Sequence, residues 1–191
     1  MKLYYTTTAG YDAAQLIPTN SLGGYKSSTP IPNDSFGNLF DDLSLYGMKQ
    51  AKTQYRALVL VNELPETAND VEFWFDSSRT KTLYCDFLIG AVIMNTDADG
   101  NPIMENIPTI YSKPFYTQLY PANVESKVSI GSLEPGKSIG LWFARILDSE
   151  VIKADYNDVA EKIPNAVYFS SRYKPKEKET EELIDLQISW T

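Results

Sequence analysis

Residues 55–76, YRALVLVNELPETANDVEFWFD, constrain the chain most, because two runs of alternating side chains call for extended backbone. In Tyr55–Asn62, Tyr55, Ala57, Val59 and Val61 share one face, and Arg56, Leu58, Leu60 and Asn62 share the other. In the second run Val71, Phe73 and Phe75 alternate with Glu72, Trp74 and Asp76. Pro65 and the Asn69-Asp70 pair mark the intervening residues as a loop. These features predict a compact β domain.

Further strands follow the same logic. TLYCDFLIGAVIMN, residues 82–95, is a long strand candidate in which Gly90 marks a bulge or a close backbone crossing. Asp99-Gly100 then marks a hairpin turn. Pro108–Tyr120 carries Tyr111, Phe115, Tyr116 and Tyr120 around Pro114, the pattern of an irregular or edge strand whose aromatics serve the core, a protein contact or a sugar. In VSIGSLEPGKSIGLWFARIL, Pro135-Gly136 is a turn and Ile139, Leu141 and Phe143 oppose Gly140, Trp142 and Ala144. Arg145 falls on the Ile139 face, so it is expected at a sheet edge or beside a carboxylate. Residues 155–163 fit a short helix, 166–170 a short strand, 174–182 a solvated charged loop, and ELIDLQISW a terminal strand.

Residues 1–48 have a different texture. Glycine, proline, serine and threonine are interspersed with aromatic and aliphatic residues, more than a disordered segment carries. The sequence reads as an extended N-terminal arm, followed by a β domain over 49–191. Gly23-Gly24 provides for unusual φ or close backbone approach, and NDSFGNLFDDLS fits a short helix with Phe36, Leu39, Phe40 and Leu43 in one stripe. The arm either folds back over its own domain or docks across a neighbouring subunit.

The chemistry available is restricted. There is no histidine, and Cys85 is the single cysteine, which leaves no intrachain disulfide, no cysteine-rich zinc site and no imidazole to activate a nucleophile. Cys85 reads as a small buried strand residue. A net charge of −8 disfavours a broad nucleic-acid surface. No phosphate-binding glycine loop, nucleophile elbow or metalloprotease motif occurs. The acidic pairs Asp41-Asp42, Asp97/Asp99 and Glu181-Glu182 read as caps, turns or solvated faces. Asn95, Asp97, Asp99 and Gly100 match the start of a calcium loop, but Glu105 falls one position early and Asn106 stands where the bidentate glutamate belongs. No catalytic residue, metal ligand or cofactor is assigned, and neither a conventional signal peptide nor a membrane span is expected.

SLGGYKSSTPIPNDSFGNLFDDLS at 21–44, YRALVLVNE at 55–63 and GKSIGLWFARI at 136–146 together resemble a class of tailed-bacteriophage virion structural proteins. The resemblance implies a non-enzymatic antiparallel β-sandwich, immunoglobulin-like or jelly-roll-like, located in the virion as a neck or tail-connector, capsid-surface or baseplate component. Its partners would be copies of itself and other virion proteins. Leu22, Gly23, Gly24, Tyr25, Phe36, Leu39 and Phe40 in the arm, with Arg145 in the domain, are the expected interface residues. The alternatives are a carbohydrate-binding module using Trp74, Trp142 or Tyr116, and an adhesion module stabilised by calcium at Asp97 and Asp99.

Overall fold

The computed structural model describes residues 1–32, 39–40, 53–76, 85–147 and 186–191. The sequence expectations for Phe36, for the helix at 155–163, for the strand at 166–170 and for the charged run at 174–182 lie outside them, as does the side chain of Cys85, and of the helix expected at 33–44 only Leu39 and Phe40 are described, as a bend.

Among the described residues, ten strands form two antiparallel sheets. They are β1 (Lys2–Thr7), β2 (Gly23–Pro30), β3 (Gln54–Val61), β4 (Ala68–Phe75), β5 (Cys85–Val92), β6 (Asn95–Thr96), β7 (Pro102–Asn106), β8 (Val128–Leu133), β9 (Ser138–Leu147) and β10 (Leu186–Ser189). Seven make a strongly curved sheet in the order β5-β9-β3-β1-β2-β7-β6, and three make a second in the order β10-β4-β8. Helix is minimal among the described residues, a single 3-10 turn at Pro18–Asn20.

The two strands of the 55–76 stretch do not pair with each other. β3 lies between β1 and β9 in the large sheet, whereas β4 lies at the centre of the small one. Residues 62–67 therefore cross from sheet to sheet, and the turn at Pro135-Gly136 crosses back between β8 and β9. Asn62, fully buried, ties the crossings together. Its side-chain amide donates to the carbonyls of Glu66 (2.9 Å) and Leu133 (2.7 Å), and its own carbonyl accepts from the Gly136 N–H at 2.8 Å.

The alternation read from sequence sorts side chains into two clusters. Leu58, Leu60, Leu141, Phe143, Phe87 and Ile89 of the large sheet meet Val71, Phe73, Phe75 and Leu133 of the small one. On the opposite face of the large sheet, Tyr55, Ala57, Val59, Trp142 and Ala144 pack with Met104 and Ile107, and Leu22, Met94 and Leu119 extend this cluster. Apolar burial on both faces explains why β3 and β9 carry nearly continuous hydrophobic runs. Each large apolar side chain buried this way contributes about 1.5–3 kcal/mol.

Of the two courses open to the N-terminal segment, the described residues take the first, packing on their own domain, and they do so as interior strands of the sheet and not as a cover over its edge or face. β1 pairs with β3 through Tyr4↔Val59 and Tyr5↔Leu58, and with β2 through Thr6↔Lys26 and Thr7↔Tyr25. Tyr5 joins the inter-sheet core, as does Phe40, while Ile31 and Leu39 pack against it. A boundary at residue 48 therefore does not separate two bodies among the described residues. The cause is long-range pairing: Thr6 and Ser27 are fully buried because the sheet needs their positions, not because the residues are apolar.

Candidate interaction surface

β7 ends at Asn106, and residues 107–120 then run over the second apolar cluster. Ile107 N–H donates to the Leu22 carbonyl at 2.9 Å, the Ile110 carbonyl accepts from Tyr55 N–H at 2.7 Å, and Tyr120 forms a two-bond bridge with Ile89. Gly90 permits this crossing, since a Cβ there would stand 2.2 Å from the Gln118 carbonyl oxygen. The Ala122 carbonyl accepts from Phe75 N–H at 3.3 Å, so the segment also links the small sheet to the outer strand β5.

At the tip of this loop Pro114 and Thr117 are buried, but Phe115 and Tyr116 between them are 83% and 76% exposed. Backbone contacts explain the contrast. Both carboxylate oxygens of Glu105, on β7, accept from Phe115 N–H at 2.9 Å, and Oε2 also accepts from Tyr116 N–H at 3.2 Å. Bonds to a charged acceptor are stronger than neutral ones, so the tip is held while its rings face solvent. The rings meet edge to face, with centroids 5.0 Å apart and planes at 80°.

A second tip has a similar construction. Leu16 and Ile17 are 82% and 53% exposed. Gln15 holds them: its Nε2 donates to the carbonyls of Thr6 (3.2 Å) and Asn20 (3.3 Å), and its Oε1 accepts from Ile17 N–H at 3.2 Å. Buried Ser21 fixes the base of this loop by accepting from Thr6 N–H at 2.8 Å and donating to the Ala57 carbonyl. The Ser21 carbonyl accepts from Ala57 N–H, and the Ile110 carbonyl from Tyr55 N–H. Both loops are thus anchored, two residues apart, on the flank of β3 from which β1 has diverged.

The residues expected to form an interface are used differently. Leu22 packs against the second cluster. Gly23 and Gly24, at φ +97° and +92°, make an irregular join of β2 to β7, and a Cβ on Gly23 would stand 1.8 Å from the Glu105 carbonyl oxygen. Tyr25 is half-buried in β2 and bonds the Asp97 carboxylate, which pushes its hydroxyl pKa up. Leu39 and Phe40 lie against the core. Arg145 is buried in β9, the second strand of the sheet, not at an edge. Among its contacts, its Nε and Nη2 donate to Gln54 Oε1 at 3.2 and 2.6 Å. Within the chain the described members of this set thus make internal contacts, buried at Gly23, Gly24, Phe40 and Arg145 and partly buried at Leu22, Tyr25 and Leu39.

The arrangement bears on the other chemistries too. Trp142 is fully buried, Trp74 is half-buried with Lys127 Nζ 4.5 Å from its ring, and Tyr116 stands edge to face against Phe115, so these rings do not form one flat platform. Asp97 organises its own turn: Oδ1 accepts from Asn101 N–H at 2.8 Å and from Asp99 N–H at 2.9 Å. The Asn101 backbone bond leads in holding the Asp97 carboxyl below the usual range. Among the described residues, no three His, Cys, Asp or Glu side chains gather as a metal site, and no helix is long and apolar enough to cross a membrane.

The sequence brought Phe115 and Tyr116 into view but missed the residues that present them. Glu105 stands out only as a misplaced calcium ligand, and Gln15 has no local signal, because each acts on backbone that only the fold brings near.

Fold and surface define a mainly antiparallel, strongly curved two-sheet β protein that presents two internally braced apolar tips. No protein-family model, curated protein or solved structure matches the chain.

Proposed function

We propose that this chain is a non-enzymatic structural subunit of a tailed-bacteriophage virion, built as an immunoglobulin-like or jelly-roll-like sandwich. Its work is geometric: a stiff β body holds contact residues in place, and apolar burial supplies most of the association energy. The observation that carries the reading is the pair Phe115 and Tyr116, exposed at 83% and 76% on a tip whose amides are held by Glu105. Ordering a side chain at an interface costs about 0.5–1.5 kcal/mol, so a tip already braced is suited to docking. The residues at 21–44, 55–63 and 136–146 that resemble virion proteins supply the setting. The outer strands of both sheets are compatible with repeated assembly.

A sugar-binding role is disfavoured by the burial of Trp142 and the crossed planes of Phe115 and Tyr116. The engagement of Asp97 with its own turn disfavours a calcium-dependent one. The test is co-purification: the protein should sediment with tailed particles at fixed stoichiometry, measured by peptide mass spectrometry across a density gradient. Recovery only in the soluble fraction of the lysate would overturn the reading.

A further inference from the structure

We propose that the surface carrying Leu16, Ile17, Phe115 and Tyr116 is the contact between copies of this chain. The inference rests on the assembly reading for its setting and adds the occupant of the surface.

Three observations lead to it. First, both tips display two consecutive apolar residues to solvent, and each is braced by one polar side chain, Gln15 or Glu105. Second, both loops are anchored on the same flank of β3, at Ala57 and Tyr55, so their bases lie side by side. A two-fold axis there would let each copy present an aromatic and an aliphatic pair to its mate, the self-complementary arrangement of an isologous interface.

The third observation is electrostatic. Twenty-five of the 191 residues are acidic and the net charge is −8, so two copies repel over most approaches. Residues 13–32 and 106–124 contain no Asp or Glu, and Lys113 lies beside the aromatic tip. The neighbouring Glu105 has its carboxylate turned to the amides of Phe115 and Tyr116. A second acidic copy that meets these loop segments directly therefore faces no carboxylate within them. An acidic chain gains more from a contact placed there than from an equal apolar area elsewhere.

Sedimentation velocity of the full chain over a concentration series tests the proposal. Reversible self-association is expected, strengthened by added sodium chloride as the net charge is screened. Changing Phe115→Ser with Tyr116→Ser, or Leu16→Ser with Ile17→Ser, should weaken association about tenfold or more. Lys113→Glu should weaken it at low salt and recover at high salt. Ile93→Ser, at an exposed residue outside both loops, should leave it unchanged. All four sites are exposed, and circular dichroism verifies folding before the comparison is made. A wild-type chain that stays monomeric throughout, or association unchanged in both double variants, would overturn the proposal. Neither result alters co-purification with particles, so the virion reading stands or falls separately.

Discussion

The guanidinium carbon of Arg145 lies 4.8 Å from the centre of the Phe40 ring. Arg56, fully buried on the neighbouring strand, places its guanidinium carbon 5.4 Å from the same centre. The Phe87 ring also stands against it, tilted by 60° with the centroids 5.9 Å apart. Phe40 thus combines apolar burial with cation–π contact at one end of the inter-sheet core. Phe40→Ala should destabilise the protein by about 3–5 kcal/mol, and Phe40→Leu by about 1–2 kcal/mol. Urea unfolding followed by fluorescence measures both.

Deleting residues 1–44 removes β1, β2 and Phe40 together. If this segment were a detachable arm, the remainder would fold and only its association would weaken. With β1 paired to β3 and β2 to β7, the truncated chain should instead lose cooperative unfolding and aggregate. A soluble truncated form with a sharp thermal transition would refute this placement.

Asn62→Ala leaves the Leu133 and Glu66 carbonyls without their amide donor and Leu64 N–H without its acceptor. An unsatisfied buried group, here the Leu133 carbonyl, costs about 1–3 kcal/mol and the two part-buried groups cost less, so a loss of about 2–4 kcal/mol is expected. Equilibrium denaturation tests the magnitude, and an effect below 1 kcal/mol would show that ~1 water molecule or a backbone shift replaces the side chain.

Glu105→Ala should release the aromatic tip without unfolding the domain. Bonds to a charged acceptor contribute about 1.5–3 kcal/mol, so amide exchange at Phe115 and Tyr116 should accelerate about tenfold or more. Glu105→Gln should fall between wild type and Glu105→Ala. Hydrogen exchange resolved at these two residues, beside an unchanged melting temperature, distinguishes local release from global loss.

Tyr4 donates a hydrogen bond to Glu63, and this bond, with burial and the charges of Glu63 and Asp12, pushes its pKa from 10.0 up to about 12. Between those values the folded chain keeps a proton that the unfolded chain has released. The associated stability is complete below pH 10 and is lost as the pH rises toward 12. Spectrophotometric titration of the tyrosines should show a late step that Tyr4→Phe removes, and the variant's stability should fall less over that interval.

The strands with strong alternation were legible in the sequence. Residues 55–62 and 139–146 predicted β3 and β9 to within one or two positions, including which side chains share a face. Periodicity is local, and both strands are buried on both faces. β1 and β2 were not legible, because KLYYTT and GGYKSSTP are too polar to announce themselves. What makes them strands is pairing with residues far along the chain and buried hydroxyl contacts such as Thr6 with Ser21. Gly23-Gly24 was readable as a site of unusual φ, although its partner, the Glu105 carbonyl, was not. For the surface, the exposed aromatics could be found from the loop composition, whereas their braces depend on tertiary proximity.

The strand order also has a consequence for biosynthesis. β3 is flanked by β1, made near the start, and by β9 at Ser138–Leu147, while β4 is flanked by β8 and by β10 at Leu186–Ser189. Neither sheet can close until distant segments have left the ribosome, and such non-local pairing is slow. A nascent or prematurely terminated chain would therefore lack the scaffold that holds Gln15 and Glu105 against their loops. Translation itself would act as a checkpoint, since only chains synthesised through β9 would complete the sheet on which both tips are anchored.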